Sequence, residues 1–258
     1  VILLGINGGM RQGKSTVGAE LRRLAGVDAK ADLEFSYPVG QVANLWVKQW
    51  APSVIDSGLP VIEIANKLMP LVVEPVKAVT SFDVDPSKLL IENTPESLEE
   101  SNRLLSYLEK YIEAGSNRED EFPVPITPDN KVLHRALYQW IGARMIDEVE
   151  PRDGQVIWPA VIEHRIQTLI KREYPLVTVG GARYPHDQAM IHANGGLIIQ
   201  VSRPGIANDS DITERAGDGV EPDIKVINDG TLDELNTVVG QLYSDLLAGK
   251  PQSKYTAA

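Results

Sequence analysis

Gly8-Gly9-Met10-Arg11-Gln12-Gly13-Lys14-Ser15 follows directly on the apolar run Val1-Ile2-Leu3-Leu4-Gly5-Ile6 and leads into a stretch of helical periodicity. Strand, glycine-rich turn and helix, in that order, are the setting in which G-x-x-x-x-G-K-[ST] holds phosphate. Gly8 and Gly13 let the backbone curl so that its N–H groups and the first turn of the helix face polyphosphate oxygens. Lys14 is expected to reach the β- and γ-phosphates, and the Ser15 hydroxyl to be a Mg²⁺ ligand. The segment Gly8, Gly9, Arg11, Gln12, Gly13, Lys14, Ser15 and Thr16 is thus the expected nucleoside triphosphate site. A chance match in a turn would not be expected to bring strand, loop and helix in sequence.

From this loop outward, periodicity gives a helix over residues 14–25, with Val17, Leu21 and Leu24 on one face and Gly26 as its stop. A short strand is expected near Leu33-Glu34-Phe35-Ser36. Residues from about 40 to 130 read as helical stretches punctuated by Pro52, Pro60, Pro70, Pro75, Pro86 and Pro95, a mostly helical insertion. Thr94-Pro95 makes a helix start, with an N-cap hydroxyl and a proline at the first helical position, and Gly115 a stop. Residues 116–131 read as an exposed loop, and 131–149 as a helix with Leu133, Leu137, Trp140 and Ile141 at helical spacing.

Another helix is expected over 159–171. Strands at 176–179, 197–201 and 224–227 then alternate with helices at 187–193 and 232–247, and the polar tail 249–258 reads as frayed. Such alternation implies an α/β fold with a mostly parallel central sheet and helices on both faces. Ligands then sit at the carboxyl ends of the strands, which singles out the polar clusters that follow them.

Composition narrows the classes. A chain of 258 residues with 43% hydrophobic residues buries a full core, and no run of about 18 apolar residues suggests a membrane span. The N-terminal residues lack the basic and small-residue pattern of a signal peptide, and the absence of cysteine fits a reducing cytoplasm. A net charge of -11 argues against a nucleic-acid polymer, which needs many cationic contacts, and favours a small phosphorylated ligand held by a few local Arg and Lys residues.

Two segments after strands carry such cations. Arg183, in Gly180-Gly181-Ala182-Arg183-Tyr184-Pro185-His186-Asp187, stands where a substrate phosphate would lie across from the loop. Gln200-Val201-Ser202-Arg203-Pro204-Gly205 leads into a polar segment carrying Arg215, and residues 203–219 read as a mobile lid over a transferring phosphoryl group. Arg135 and Gln139 share a helix face, from which Arg144 is turned away. Each of these cations also fits an ordinary solvated surface. The four histidines show no metal-ligand spacing.

Taken together, several segments resemble bacteriophage deoxynucleoside monophosphate kinases, relatives of dephospho-coenzyme A kinase among the P-loop kinases. Arg135-Ala136-Leu137-Tyr138-Gln139-Trp140-Ile141-Gly142-Ala143-Arg144 resembles the family's R-x-L-x-Q-x-x-G-x-x-x-R helix through Gly142, with the last Arg two residues early, and Val156-Ile157-Trp158 the start of its next helix. The run from Val177 to Asp187 is similar to a strand followed by D-x-R-[FY]-P-N-E, and further likeness lies in 195–205 and 227–235. The resemblance covers roughly residues 1–38 and 131–247 of one domain, without the insertion. It implies a three-layer nucleoside monophosphate kinase fold, ATP and Mg²⁺, and transfer of the γ-phosphoryl to a deoxynucleoside 5′-monophosphate, with a homodimer possible. Arg135, Gln139 and Arg183 would hold the acceptor; Lys14, Arg203 and Arg215 would act on the transferred group. The family pattern has Asp where this chain has Gly181 and Tyr37, leaving Asp32 and Glu34 as candidate carboxylates. Another small acceptor, or a nucleotide-binding module with reduced catalysis, stays open beside this reading.

Overall fold

The computed structural model describes residues 1–9, 11–49, 58–90, 156–206 and 221–257, with shorter stretches between 93 and 146. The chain divides into two compact units, residues 1–35 with 159–258, and residues 36–158.

The first unit is built on a six-stranded sheet in the order β2-β3-β1-β4-β5-β6. Its strands are β1 (Ile2–Asn7), β2 (Asp32–Glu34), β3 (Leu176–Gly180), β4 (Leu197–Ser202), β5 (Ile224–Asn228) and β6 (Lys254–Ala257). Every pairing is parallel: Leu4 lies opposite Thr178 of β3 and Leu197 of β4, and Asp32 opposite Thr178. A parallel sheet buries both faces, which explains why β1 and β3 read as continuous apolar runs.

Side chains alternate between the two faces. On one, Leu4, Ile6, Ile199, Val201 and Val226 pack with Val17 and Leu21 of α1 (Lys14–Ala25) and with Leu235, Val239 and Leu242 of the closing helix (Leu232–Leu247). On the other, Leu3, Val177, Val179 and Ile198 meet Ile162 and Ile166, from the helix Ile157–Lys171, and Met190 and Ile191, from the helix Pro185–Ala193. The result is the three-layer α/β fold expected from the alternation.

Local signals set the helix ends. Gly26 closes α1 in the left-handed conformation, with its N–H and that of Val27 returning to carbonyls of the last turn. Thr231 and Glu234 form a reciprocal capping box at the closing helix, where the Thr231 N–H donates to Glu234 Oε2 (2.6 Å) and the Glu234 N–H to Thr231 Oγ1 (3.3 Å).

The tail departs from its expected fraying. Residues 254–257 form β6 beside β5, with Tyr255 and Ala257 buried in the core. The Tyr255 hydroxyl donates to Asp245 Oδ2 (2.9 Å) and accepts the Gln252 N–H (2.8 Å). Polar residues dominate the tail, but the alternation Lys254, Tyr255, Thr256, Ala257 is that of a strand with one buried face.

The second unit is helical in its described parts. It contains α2 (Ser36–Gln49), α3 (Val61–Leu68) and α4 (Val73–Thr80), with 3₁₀ turns at Met69–Val72 and Pro86–Leu89. In chain order the three helices named above by their bounds are α5 (Ile157–Lys171), α6 (Pro185–Ala193) and α7 (Leu232–Leu247). Helix α2 packs on α4, and the Trp46 indole N–H donates to the buried Leu68 carbonyl (3.1 Å). Thr94 caps the turn that follows it, accepting the Ser97 N–H (3.2 Å). The insertion expected over about 40–130 falls within this unit. Among the described residues no helix is long and apolar enough to cross a membrane.

Candidate nucleotide site

The loop from Gly8 to Gly13 joins the carboxyl end of β1, the central strand, to the first turn of α1. Gly8 has φ 141, and a Cβ there would sit 2.2 Å from the Val201 carbonyl oxygen, so no side chain fits between the loop and β4. Gly13 is the left-handed N-cap of α1, and its carbonyl accepts the Val17 N–H (3.0 Å).

Side-chain oxygens hold the loop open. Asn7 Oδ1 accepts the Gly8 N–H (2.7 Å), and Gln12 Oε1 accepts the Gly9 N–H (2.7 Å). From β5, the Asn228 amide donates to the Gln12 carbonyl (3.0 Å). Asn7, Gln12 and Asn228 are all buried. The Lys14 ammonium reaches back over the loop to the carbonyls of Gly8 (2.5 Å) and Gly9 (2.6 Å). Those short charge-assisted bonds fix the cation across the loop mouth.

Arg11, Lys14, Ser15, Thr16, Arg203 and Asn228 are among the residues lining a cleft of about 490 Å³ at this loop, together with Thr231 and Leu232. Three cations face it and, among the described residues, no carboxylate lines it. In a chain of net charge -11 this is a local reversal of sign, suited to a polyanion.

All eight residues expected for the ATP site fall on this one loop and helix start, and Arg203, exposed at the end of β4, joins them. Arg183 follows β3, the strand beside β1, and is half-buried; it does not line the cleft. Arg135, Gln139 and Arg215 lie outside the described residues.

The two carboxylates of β2 separate clearly. Asp32 is level with Leu4 and Thr178, back from the strand ends; Glu34 is level with Ile6 and Gly180, at the carboxyl edge. Asp32 Oδ1 lies 2.6 Å from Arg22 Nη1 and accepts the Thr178 hydroxyl (2.9 Å). Burial pushes the Asp32 carboxyl above its ordinary range, opposed by Thr178 and Arg22. Its role is to tie β2 to α1. Gly181, where the family pattern has Asp, has φ 77 and donates its N–H to Ile6 (3.0 Å); Asp in that left-handed turn would be strained. Tyr37 is exposed on the first turn of α2.

Sequence reasoning missed Asn7, Asn228 and Asp187. The first ends the strand beneath the loop and was visible as a polar residue closing an apolar run. Asn228 bonds across more than 200 residues of sequence, which no local pattern reveals. No protein-family model matches the chain, and no curated protein is recognisably similar to it.

Proposed function

We propose that the protein is an ATP-dependent kinase whose acceptor is a deoxynucleoside 5′-monophosphate. The observation that carries the reading is the Lys14 ammonium seated on the Gly8 and Gly9 carbonyls, in a cleft faced by Arg11 and Arg203. The acceptor half is supported by Arg183, one strand away at the same edge of the sheet, and by the resemblance of its segment to phage deoxynucleoside monophosphate kinases.

The residues fit the groups that the reaction needs. The side-chain-free Gly8 leaves the backbone close to β4, so the loop's concave side can take phosphates. The Ser15 hydroxyl, on the first turn of α1 at the cleft, suits Mg²⁺, which keeps its waters and is held by one hydroxyl and substrate phosphates. The Ser15 hydroxyl would hold it, and bound Mg²⁺ would neutralise charge on the polyphosphate.

In the reaction, an acceptor phosphate oxygen attacks the γ-phosphorus and the bond to the β,γ-bridging oxygen breaks, giving a nucleoside diphosphate and ADP. Lys14 stabilises charge on the transferred group and the leaving oxygen, Arg203 approaches from β4, and Arg183 holds the acceptor phosphate by its guanidinium fork. Positioning and charge neutralisation supply most of the rate, so no general base is required.

A coupled ADP-release assay with dAMP, dGMP, dCMP and dTMP and their ribose counterparts tests this. Release stimulated by one or more deoxynucleotides is expected. Silence with all of them, in a protein that binds ATP, would overturn it.

A further inference from the structure

Asp187 lies on the first turn of α6 with its side chain only 3% exposed, and the phosphoryl-transfer reading makes no use of it. Its Oδ2 accepts the N–H of Arg183 (2.9 Å) and of Tyr184 (3.0 Å), the residues by which the chain leaves the end of β3 and enters α6. Its Oδ1 lies 3.4 Å from Nε2 of His186, whose ring stacks on Tyr184 at 5.2 Å. A carboxylate at a helix entry ordinarily stands in water, where its charge costs little. This one is sealed beneath the loop that carries Arg183.

Burial pushes the Asp187 carboxyl up to about 7, against the pull of the two N–H donors and of the Arg183 charge. Helix α6 packs against β1 and β4, neither of which carries a titratable residue, and shares a core with α5 through Met190 and Ile191. The carboxylates that meet this helix from outside, Glu163 of α5 and Asp223, do so at its carboxyl end, at Asn194 and His192. Among the described residues the charged or titratable groups seen to act on Asp187 are His186 and Arg183. Burial lowers the His186 pKa as well, so its ring is neutral near pH 7 and lends the carboxylate no opposing charge.

We propose that Asp187 is a positioning residue: ionised, it clamps the Arg183 and Tyr184 amides and fixes the direction in which Arg183 meets a phosphorylated acceptor; protonated, it relaxes that clamp. Acceptor binding then tightens as pH rises through neutrality. This rests on the reading of Arg183 given under the proposed function.

Two variants of the full chain separate charge from shape. Asp187→Asn keeps the shape and an acceptor oxygen but cannot ionise, and Asp187→Ala removes both. In the ligand-free protein, the Arg183 and Tyr184 amide resonances are expected to titrate with a common midpoint near 7, and the midpoint should vanish in Asp187→Asn. With saturating ATP, the acceptor KM should fall several-fold from pH 6 to 8.5 and flatten in Asp187→Asn. That comparison also removes the acceptor's own second phosphate ionisation, common to both proteins. Asp187→Ala should raise the acceptor KM about tenfold, with kcat and the KM for ATP little changed. Amides that do not titrate in the unsubstituted protein, or a midpoint that survives in Asp187→Asn, overturn the clamp. Titrating amides together with an acceptor KM unchanged in Arg183→Ala overturn the reading of Arg183 and, with it, the acceptor role given to Asp187. Asp187→Asn, nearly isosteric, keeps the test decisive if Asp187→Ala does not fold.

Discussion

Lys14 gives the sharpest residue-scale expectation. Lys14→Ala removes the ammonium that bridges the Gly8 and Gly9 carbonyls, and should lower kcat/KM by about 10²–10³ with little change in melting temperature. Arg203→Ala should lower turnover while leaving stability within about 0.5 kcal/mol, because the side chain is exposed. Gly8→Ala is different in kind: its Cβ meets a backbone oxygen, so the loop must shift, and both nucleotide affinity by calorimetry and melting temperature should fall. Asp187 adds a stability signature. Its folded pKa of about 7 stands above the ordinary 3.8, so its contribution is full at low pH and is lost as pH rises through 7. Asp187→Asn should therefore gain stability relative to the unsubstituted protein between pH 4 and 8, by at most about 4 kcal/mol, read from denaturant midpoints. The phosphate loop was legible at this scale because its residues are contiguous. Asn228 was not, because a hydrogen bond across the fold leaves no mark on neighbouring sequence, and Asp187 was not, because its burial on the first turn of α6 is set by tertiary packing although its bonds are local.

At the scale of elements, periodicity located α1, β3, β4, β5 and α7 to within a residue or two, since each has one or two fully apolar faces. It failed at β6, where a four-residue strand offers only Tyr255 and Ala257 as apolar positions and the flanking Gly, Lys and Gln suggest a loose end. What makes it a strand is the open edge of β5, which exists only once the sheet is assembled. Tyr255→Ala should cost about 3–5 kcal/mol by loss of a buried ring, and Tyr255→Phe about 1 kcal/mol by loss of the bond to Asp245, both measured by denaturant unfolding. A Tyr255→Ala protein as stable as its parent would show that β6 contributes nothing. The capping box at α7 was less visible, although Thr231 and Glu234 have its spacing, because the same string occurs in loops.

For the whole molecule, the two units each have buried apolar residues of their own, and the loop, Arg203 and Asn228 all belong to the first. Replacing residues 36–158 by a flexible linker should leave a cooperative unfolding transition and ATP binding in the remainder, followed by calorimetry; loss of both would show that the second unit is required for the first to fold. The order of the sheet also governs how the chain reaches its native state. Residue 2 is paired with residue 176, and the strand on its other side begins at residue 197. The phosphate-binding loop cannot take its final form from local contacts alone, because the oxygen that Gly8 packs against comes from Val201 and the amide that bonds the Gln12 carbonyl from Asn228. Refolding should therefore be slow for a protein of this size, the loop forming late, after two chain closures of more than 170 residues. A nucleotide that binds this loop recognises only chains that have completed that search, and so would act as a trap for the finished fold.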